Sequence, residues 1–201
     1  MRYLIRIETS NRELYAKIHP AECSFERRLG CIRMLKRPGY VTGSGVMIGL
    51  PGQTVEDLAR DIVFYGDENL DMVGMGPYIE HAEAPLRSYG GSSSSGASAE
   101  YRTSLARTSA HNSSSAPATC VQFDLTLRMI ALTRLYLHDV NIVAATALEA
   151  LDPEGGRNRG IEAGANVIMP VLTPLRYRRN YDLYPGKTSV PATNYQRPST
   201  N

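Results

Sequence analysis

The stretch "GSGVMIGLPGQTVEDLARDIVFYG", residues 43–66, predicts the fold class because it contains one complete strand, loop and helix. Its first eight residues are uncharged, with Ser44 the single polar side chain, and show no alternation, which is typical of a strand buried on both faces in a parallel sheet. Thr54, with Asp57 three residues later, has the spacing of a helix-capping box. Apolar residues then recur at helical spacing, at Val55, Leu58, Ala59, Ile62 and Val63. The stretch therefore predicts one βα unit whose helix buries that apolar face.

The segment that opens the chain, "MRYLIRIETSN", predicts a second strand with an unusual face. Its odd positions are Tyr3, Ile5, Ile7 and Thr9, and its even positions are Leu4, Arg6 and Glu8. This period of two is the signature of a strand. Because an unpaired buried charge is very costly, the even face must be polar or filled by a ligand.

The remaining segments repeat the strand and helix alternation. A helix capped by Ser24 is predicted to run to about Lys36. The later predicted elements are strands at "DMVGMG" (71–76), "NIVAAT" (141–146) and "NVIMPV" (166–171), and helices at 123–137 and in "GGRNRGIEAGA" (155–165). This order predicts an α/β fold with a parallel sheet and helices outside. Five such units fit either a small open sheet or the larger part of an eight-stranded barrel.

Two stretches interrupt the alternation. Residues 88–119 are rich in Ser, Ala and Gly and nearly free of large apolar groups, so we expect a disordered surface insertion. The tail, residues 188–201, has no periodicity and is expected to be disordered as well. The predicted domain therefore covers residues 1–187, interrupted by the insertion.

Composition excludes several classes of function. The chain has 201 residues and a formal net charge of +2, so nothing in its balance calls for nucleic acid or an anionic membrane. No apolar run approaches the roughly 20 residues of a membrane span, so we expect a soluble intracellular protein. Cys23, Cys31 and Cys120 form no metal-binding pattern, and Cys31 is predicted to be a core residue.

Charged side chains at the predicted strand ends suggest a ligand site. Parallel barrels bind ligands at the carboxyl ends of their strands. Glu8 lies at the carboxyl end of the first predicted strand, with Arg6 on the same face, and Arg28 on the next helix could reach the same rim. Two guanidinium groups and one carboxylate suit a zwitterionic ligand, although an interior ion pair that serves only the fold is the alternative. Met72 shares a strand face with two glycines, which fits either a flat ligand ring or a core methionine.

Five segments together resemble the HydE family of radical S-adenosylmethionine (SAM) enzymes, which help to mature the active-site cluster of iron-iron hydrogenase. They are "MIGLPGQTVEDL", "LDMVGMGPYIEHAEAPL", "TLRMIALTRLYL", "GIEAGANVIMPVLTP" and "YRRNYDLYPGK". "GLPGQT" is shared with other radical SAM proteins, whereas "DMVGMGPYIEHAEAPL" together with "YDLYPGK" is more specific. The resemblance runs from about Arg2 to Lys187.

The resemblance implies a partial (βα)8 barrel of the TIM type, with about the last five βα units in this chain. The chain is then expected to be a truncated or partial gene product without the family's CxxxCxxC motif. In the family, those three thiolates hold the 4Fe-4S cluster that splits SAM into methionine and a 5'-deoxyadenosyl radical. The isolated chain is therefore expected to be inactive.

The resemblance also implies roles for individual residues. Glu8 and Arg28 are similar to contacts of the methionine part of SAM, and Met72 to a contact of its adenine. Residues that line the barrel toward the substrate, a cysteine-bearing iron carbonyl cyanide species, are Arg6, Thr146, Met169 and Tyr181. The family commonly has two threonines at the end of the penultimate strand, whereas here Ala145 precedes Thr146.

Two other interpretations fit the same residues. One is a radical SAM enzyme of the biotin synthase or methylornithine synthase type, against which the "YDLYPGK" segment argues. The other is a non-catalytic barrel fragment. As a HydE-like protein, the chain is expected to work with other hydrogenase maturases, and in a eukaryote to enter a plastid or hydrogenosome.

Overall fold

A computed structural model of the chain describes residues 1–81, 118–169 and 174–178. Four strands form one parallel sheet in the order of the chain: β1 (Arg2–Leu4), β2 (Val41–Ile48), β3 (Met72–Pro77) and β4 (Asn141–Ala144). The helices are α1 (Arg12–Ile18), α2 (Phe25–Lys36), α3 (Val55–Asp67), α4 (Ala118–Tyr136), α5 (Thr146–Leu151), α6 (Gly156–Glu162) and α7 (Leu175–Arg178). The predicted α/β class with a parallel sheet is confirmed.

Helix starts follow the predicted caps. The Ser24 hydroxyl accepts from the Arg27 N–H at 3.2 Å and begins α2, and Thr54 and Asp57 form the capping box of α3. Three short helices were not predicted, α1, α5 and α7. Asn11 begins α1 by accepting the N–H groups of the first turn at 2.9 and 3.1 Å. Instead of a regular fifth strand, the described part of residues 166–171 shows only an isolated bridge between Val167 and Val143.

The buried face of α3 differs from the predicted one. Val55 and Val63 are 43% and 45% exposed, whereas Asp57, Asp61 and Tyr65 are buried beside Leu58. The helix is rotated because both carboxylates find hydrogen-bond donors in the loop between β1 and α1. The prediction that Cys31 lies in the core was also wrong, because this thiol is on the exposed face of α2.

The sheet has one apolar face and one face made largely of glycine. Residues turned to the helices are fully buried, namely Val46, Ile48, Val73, Met75 and Ile142. On the other face, glycines of β2 and β3 lie next to Leu4, Arg6 and Ala145; these glycines are Gly43, Gly45, Gly74 and Gly76. In a closed barrel this second face is the interior.

The opening segment departs from a regular strand after Leu4. Leu4 pairs with Gly43, but the next pairing is Glu8 with Val46, so four steps along the first segment match three along β2. This is a β-bulge, a feature that re-aims side chains next to functional sites. Ile7 and Thr9 are buried, as the alternation predicts, whereas Tyr3 is half exposed.

The predicted disordered tail at 188–201 and nearly all of the predicted insertion at 88–119 lie outside the described residues, as does Tyr181. Within the described ranges, no helix combines the length and the apolar character needed to cross a bilayer.

Candidate functional site

Arg6 and Glu8 form an ion pair on the glycine face. The Arg6 Nε donates to both carboxylate oxygens of Glu8, at 2.9 and 3.0 Å. Its terminal nitrogens donate to the carbonyl oxygens of Val46 at 2.7 Å and Gly74 at 3.4 Å. The guanidinium can lie this close to the sheet because Gly45 and Gly74 have no side chain beneath it: a Cβ on either would approach Arg6 Nη1.

The Glu8 backbone has a φ of 66°, in the left-handed region that residues other than glycine rarely adopt. Its N–H donates to the Gly45 carbonyl and its own carbonyl accepts the Met47 N–H, both at 2.9 Å. In a parallel pair, opposed residues point to the same side, and Val46 points to the helices. The left-handed turn therefore brings the Glu8 carboxylate to the Arg6 side of the sheet.

Arg28 reaches this group from α2. Its Nη1 donates to the Arg6 carbonyl at 3.0 Å, and its guanidinium lies 5.8 Å from the ring centroid of Tyr15. Arg28 is only partly buried, between the exposed Arg27 and the buried Leu29. The structure thus brings together three residues that the sequence placed at one rim, Arg6, Glu8 and Arg28.

Two aspartates of α3 hold the loop that follows Glu8. Asp61 Oδ1 accepts the Ser10 N–H at 2.6 Å, and Asp57 Oδ1 accepts from Asn11 Nδ2 at 2.8 Å. Burial raises the pKa of Asp61 to about 7 against the opposing effect of the Ser10 hydrogen bonds. Burial also acts to raise the pKa of Asp57, but hydrogen bonds from Thr54 and Asn11, with the charge of Arg60, bring it below its ordinary value.

Sequence reasoning missed this support. The signal was present, because Asp57 and Asp61 are four residues apart and therefore lie on one face of α3 beside Leu58. Tyr65 continues that face and is fully buried, and burial followed by the charge of Asp61 raises its pKa well above the ordinary value. Ser44 was missed as well; its hydroxyl accepts the Ile7 N–H at 3.2 Å.

The other predicted residues are distributed along the sheet. Met72 begins β3 and pairs with Gly43, so it lies about 10 Å before the level of Val46 and Glu8 at roughly 3.3 Å per residue. The structure does not bring Met72 together with Glu8 and Arg28, and its role at adenine stays a prediction. Thr146 begins α5 just beyond the carboxyl end of β4, and Met169 is exposed beyond the Val167 bridge. Both lie toward the carboxyl side.

The thiols do not fit a 4Fe-4S cluster. Cys23 is half-buried, and Cys31 and Cys120 are exposed on different helices. Over residues 1–81, 118–169 and 174–178, no group of three or more His, Cys, Asp or Glu side chains could hold a metal ion.

The fold is that of a partial (βα)8 barrel. The structure matches the crystal structure of methylornithine synthase (PylB) with a TM-score of 0.60, over 86% of this chain and 41% of that one. At 22% identity this likeness describes the fold alone. No family model matches the chain.

A curated relative gives a narrower assignment. The chain is 44% identical over 189 residues to the FeFe hydrogenase maturase subunit HydE of Thermotoga maritima. The match covers 94% of this chain and 45% of the relative, so the chain spans less than half of that protein. The chain belongs to the HydE family and corresponds to its carboxyl-terminal part.

Proposed function

We propose that this chain is the carboxyl-terminal barrel portion of a HydE-type radical SAM maturase, and that Glu8 and Arg28 hold the methionine part of SAM. The observation that carries the proposal is the group of Arg6, Glu8 and Arg28 beyond the carboxyl end of β1, in a chain 44% identical to HydE.

The charges of this group match those of an amino acid. An α-ammonium is a donor for the Glu8 carboxylate, and an α-carboxylate is an acceptor for a guanidinium. Among the described residues, Arg28 donates only from Nη1, which leaves Nε and Nη2 for a carboxylate. Arg6 already donates to Glu8 and to two carbonyl oxygens. At the methionine part of SAM, its proposed role is therefore to orient Glu8.

We propose that this chain supplies contacts to SAM, whereas the rest of the family's barrel supplies the ligands of the 4Fe-4S cluster. The described thiols do not fit a 4Fe-4S cluster, so we propose that the cluster is held by the rest of the barrel and not by this chain. SAM, bound with a cluster held elsewhere, is the source of the radical chemistry. Residues proposed to face the substrate, a cysteine-bearing iron carbonyl cyanide species, are Arg6, Thr146, Met169 and Tyr181. Other hydrogenase maturases are the proposed partners.

The test is a chimera in which this chain replaces the matching part of Thermotoga HydE. After anaerobic reconstitution of the cluster and addition of a reductant, we expect cleavage of SAM to methionine and 5'-deoxyadenosine. A chimera that carries an intact cluster and does not cleave SAM would contradict the proposal.

Substitutions in the chimera test the residues. Glu8→Gln and Arg28→Gln should each raise the KM for SAM about 10-fold or more, because each removes a charge-assisted hydrogen bond of about 1.5–3 kcal/mol. The controls are Glu26→Gln and Arg27→Gln, which remove the same charges from exposed positions on α2. Equal KM values in site and control variants would refute the assignment.

A further inference from the structure

We propose that Ser44 and Asp61 are positioning residues that hold Glu8 in its left-handed conformation and so aim its carboxylate at the ligand. The inference rests on the proposed function in one respect only, the role of Glu8 as a SAM contact. The conformation of Glu8 itself can be measured without any ligand.

Side chains replace the strand ladder on both sides of Glu8. The N–H groups of Ile7 and Ser10 bond to side chains and not to β2 carbonyl oxygens. Ser44 Oγ accepts the Ile7 N–H at 3.2 Å, and Asp61 Oδ1 accepts the Ser10 N–H at 2.6 Å. Because N–H groups shielded from water need acceptors, these two side chains allow the chain to follow the bulged path without unpaired N–H groups at Ile7 and Ser10.

Both acceptors lie on regular, buried elements. Ser44 and Asp61 are fully buried and belong to β2 and α3, elements remote in sequence from Glu8. Asp61 lies in the middle of α3, and Asp57, one turn earlier, forms the capping box with Thr54 and accepts from the Asn11 side chain. The loop after Glu8 is thus held at consecutive residues by one helix.

The backbone of Glu8 is held in its unusual conformation from both sides. A residue with a side chain stays in the left-handed region only where its surroundings over-determine it, and such residues cluster at ligand sites. The two backbone hydrogen bonds of Glu8 fix its own peptide groups. The flanking bonds from Ser44 and Asp61 fix the residues on either side, so loss of either acceptor should let the segment relax toward an extended path.

The experiment uses the whole 201-residue chain, labelled with 15N, and four variants. In the wild type, Glu8 should show the strong NOE between its own amide and Cα protons that accompanies a positive φ. Ser44→Ala and Asp61→Ala should weaken that NOE in the chain and, placed in the chimera, raise the KM for SAM about 10-fold. Asp61→Asn should preserve both, because its amide oxygen still accepts from Ser10.

Thr126→Val is the matched control, since it removes a buried hydroxyl that bonds only within α4. It should change neither readout. If Glu8 keeps its strong NOE in Ser44→Ala and Asp61→Ala, the proposal is overturned. If the NOE is lost as expected but the reconstituted chimera with the wild-type chain does not cleave SAM, the positioning role stands and the proposed function fails. Ser44→Ala removes no charge, so it decides the case if Asp61→Ala does not fold.

Discussion

Gly45 allows a sharp test of the contact between β2, β3 and Arg6. A Cβ built on Gly45 would overlap the carbonyl oxygen of Gly74 and lie 3.0 Å from both the Gly74 carbonyl carbon and Arg6 Nη1. Ordinary contacts between such atoms are about 3.5–4.0 Å. Gly45→Ala therefore requires β2 and β3 to separate by about 1 Å or more, and Arg6 to shift as well, because moving Arg6 alone would leave the overlap with the Gly74 carbonyl oxygen.

The expected loss of stability has two parts. Overpacking a tightly packed site costs about 1–3 kcal/mol. Displacing Arg6 also breaks its hydrogen bond to the Val46 carbonyl, and a hydrogen bond from a charged group contributes about 1.5–3 kcal/mol. We therefore expect Gly45→Ala to lower the free energy of unfolding by about 3 kcal/mol or more.

Urea denaturation followed by circular dichroism measures this loss, and two other glycines give the comparison. A Cβ on Gly74 would meet only Arg6 Nη1, at 3.5 Å, so Gly74→Ala should cost much less. A Cβ on Gly30 meets nothing within 4 Å, so Ala there should stabilise α2 by about 0.5–1 kcal/mol. A Gly45→Ala chain as stable as the Gly74→Ala chain would show that β2, β3 and Arg6 do not pack as closely at Gly45 as described.

Two further predictions concern Asp61 and Ala145. Because the pKa of Asp61 is about 7 in the folded chain and near 3.8 when unfolded, its contribution to stability is full below pH 4 and is lost as the pH rises through 7. At about 1.4 kcal/mol per pKa unit, this shift of about three units corresponds to at most about 4 kcal/mol of stability. The free energy of unfolding of Asp61→Asn, measured by denaturation across this pH range, should not show the decline. Parallel pH profiles of wild type and variant would contradict the prediction. Ala145 is the N-cap of α5 and makes no capping hydrogen bond. Ala145→Thr should therefore raise the free energy of unfolding, measured by urea denaturation, by about 1 kcal/mol. An unchanged free energy would show that the threonine hydroxyl does not reach the helix N–H groups.

Local signals in the sequence predicted local structure well. The caps at Ser24 and Thr54 fixed two helix starts, because a capping residue acts on N–H groups within its own turn. The strands of the sheet follow apolar runs for a similar reason. The three helices that were missed, α1, α5 and α7, are short, and α5 has no side-chain cap that could have indicated its start.

The conformation of Glu8 and the burial of Asp61 could not be predicted, because both depend on contacts between segments distant in sequence. Alternation placed Arg6 and Glu8 on one side, but the left-handed Glu8 arises from pairing with β2. Burial of Asp61 follows from a hydrogen bond to Ser10, far away in sequence, and so it overrode the apolar pattern that favoured Val55 and Val63. Neither effect can be read from the residues of one helix or strand.

The bulge makes chain length matter more than residue identity between Leu4 and Glu8. Removing one residue from this segment would restore an even ladder with β2, and every later side chain would exchange one side of the sheet for the other. The Glu8 carboxylate would then leave the rim and the side chain of an adjacent residue would take its place, although no charged residue had been mutated. Natural variation in this segment is therefore expected to take the form of substitutions, with insertions and deletions confined to the loops beyond it.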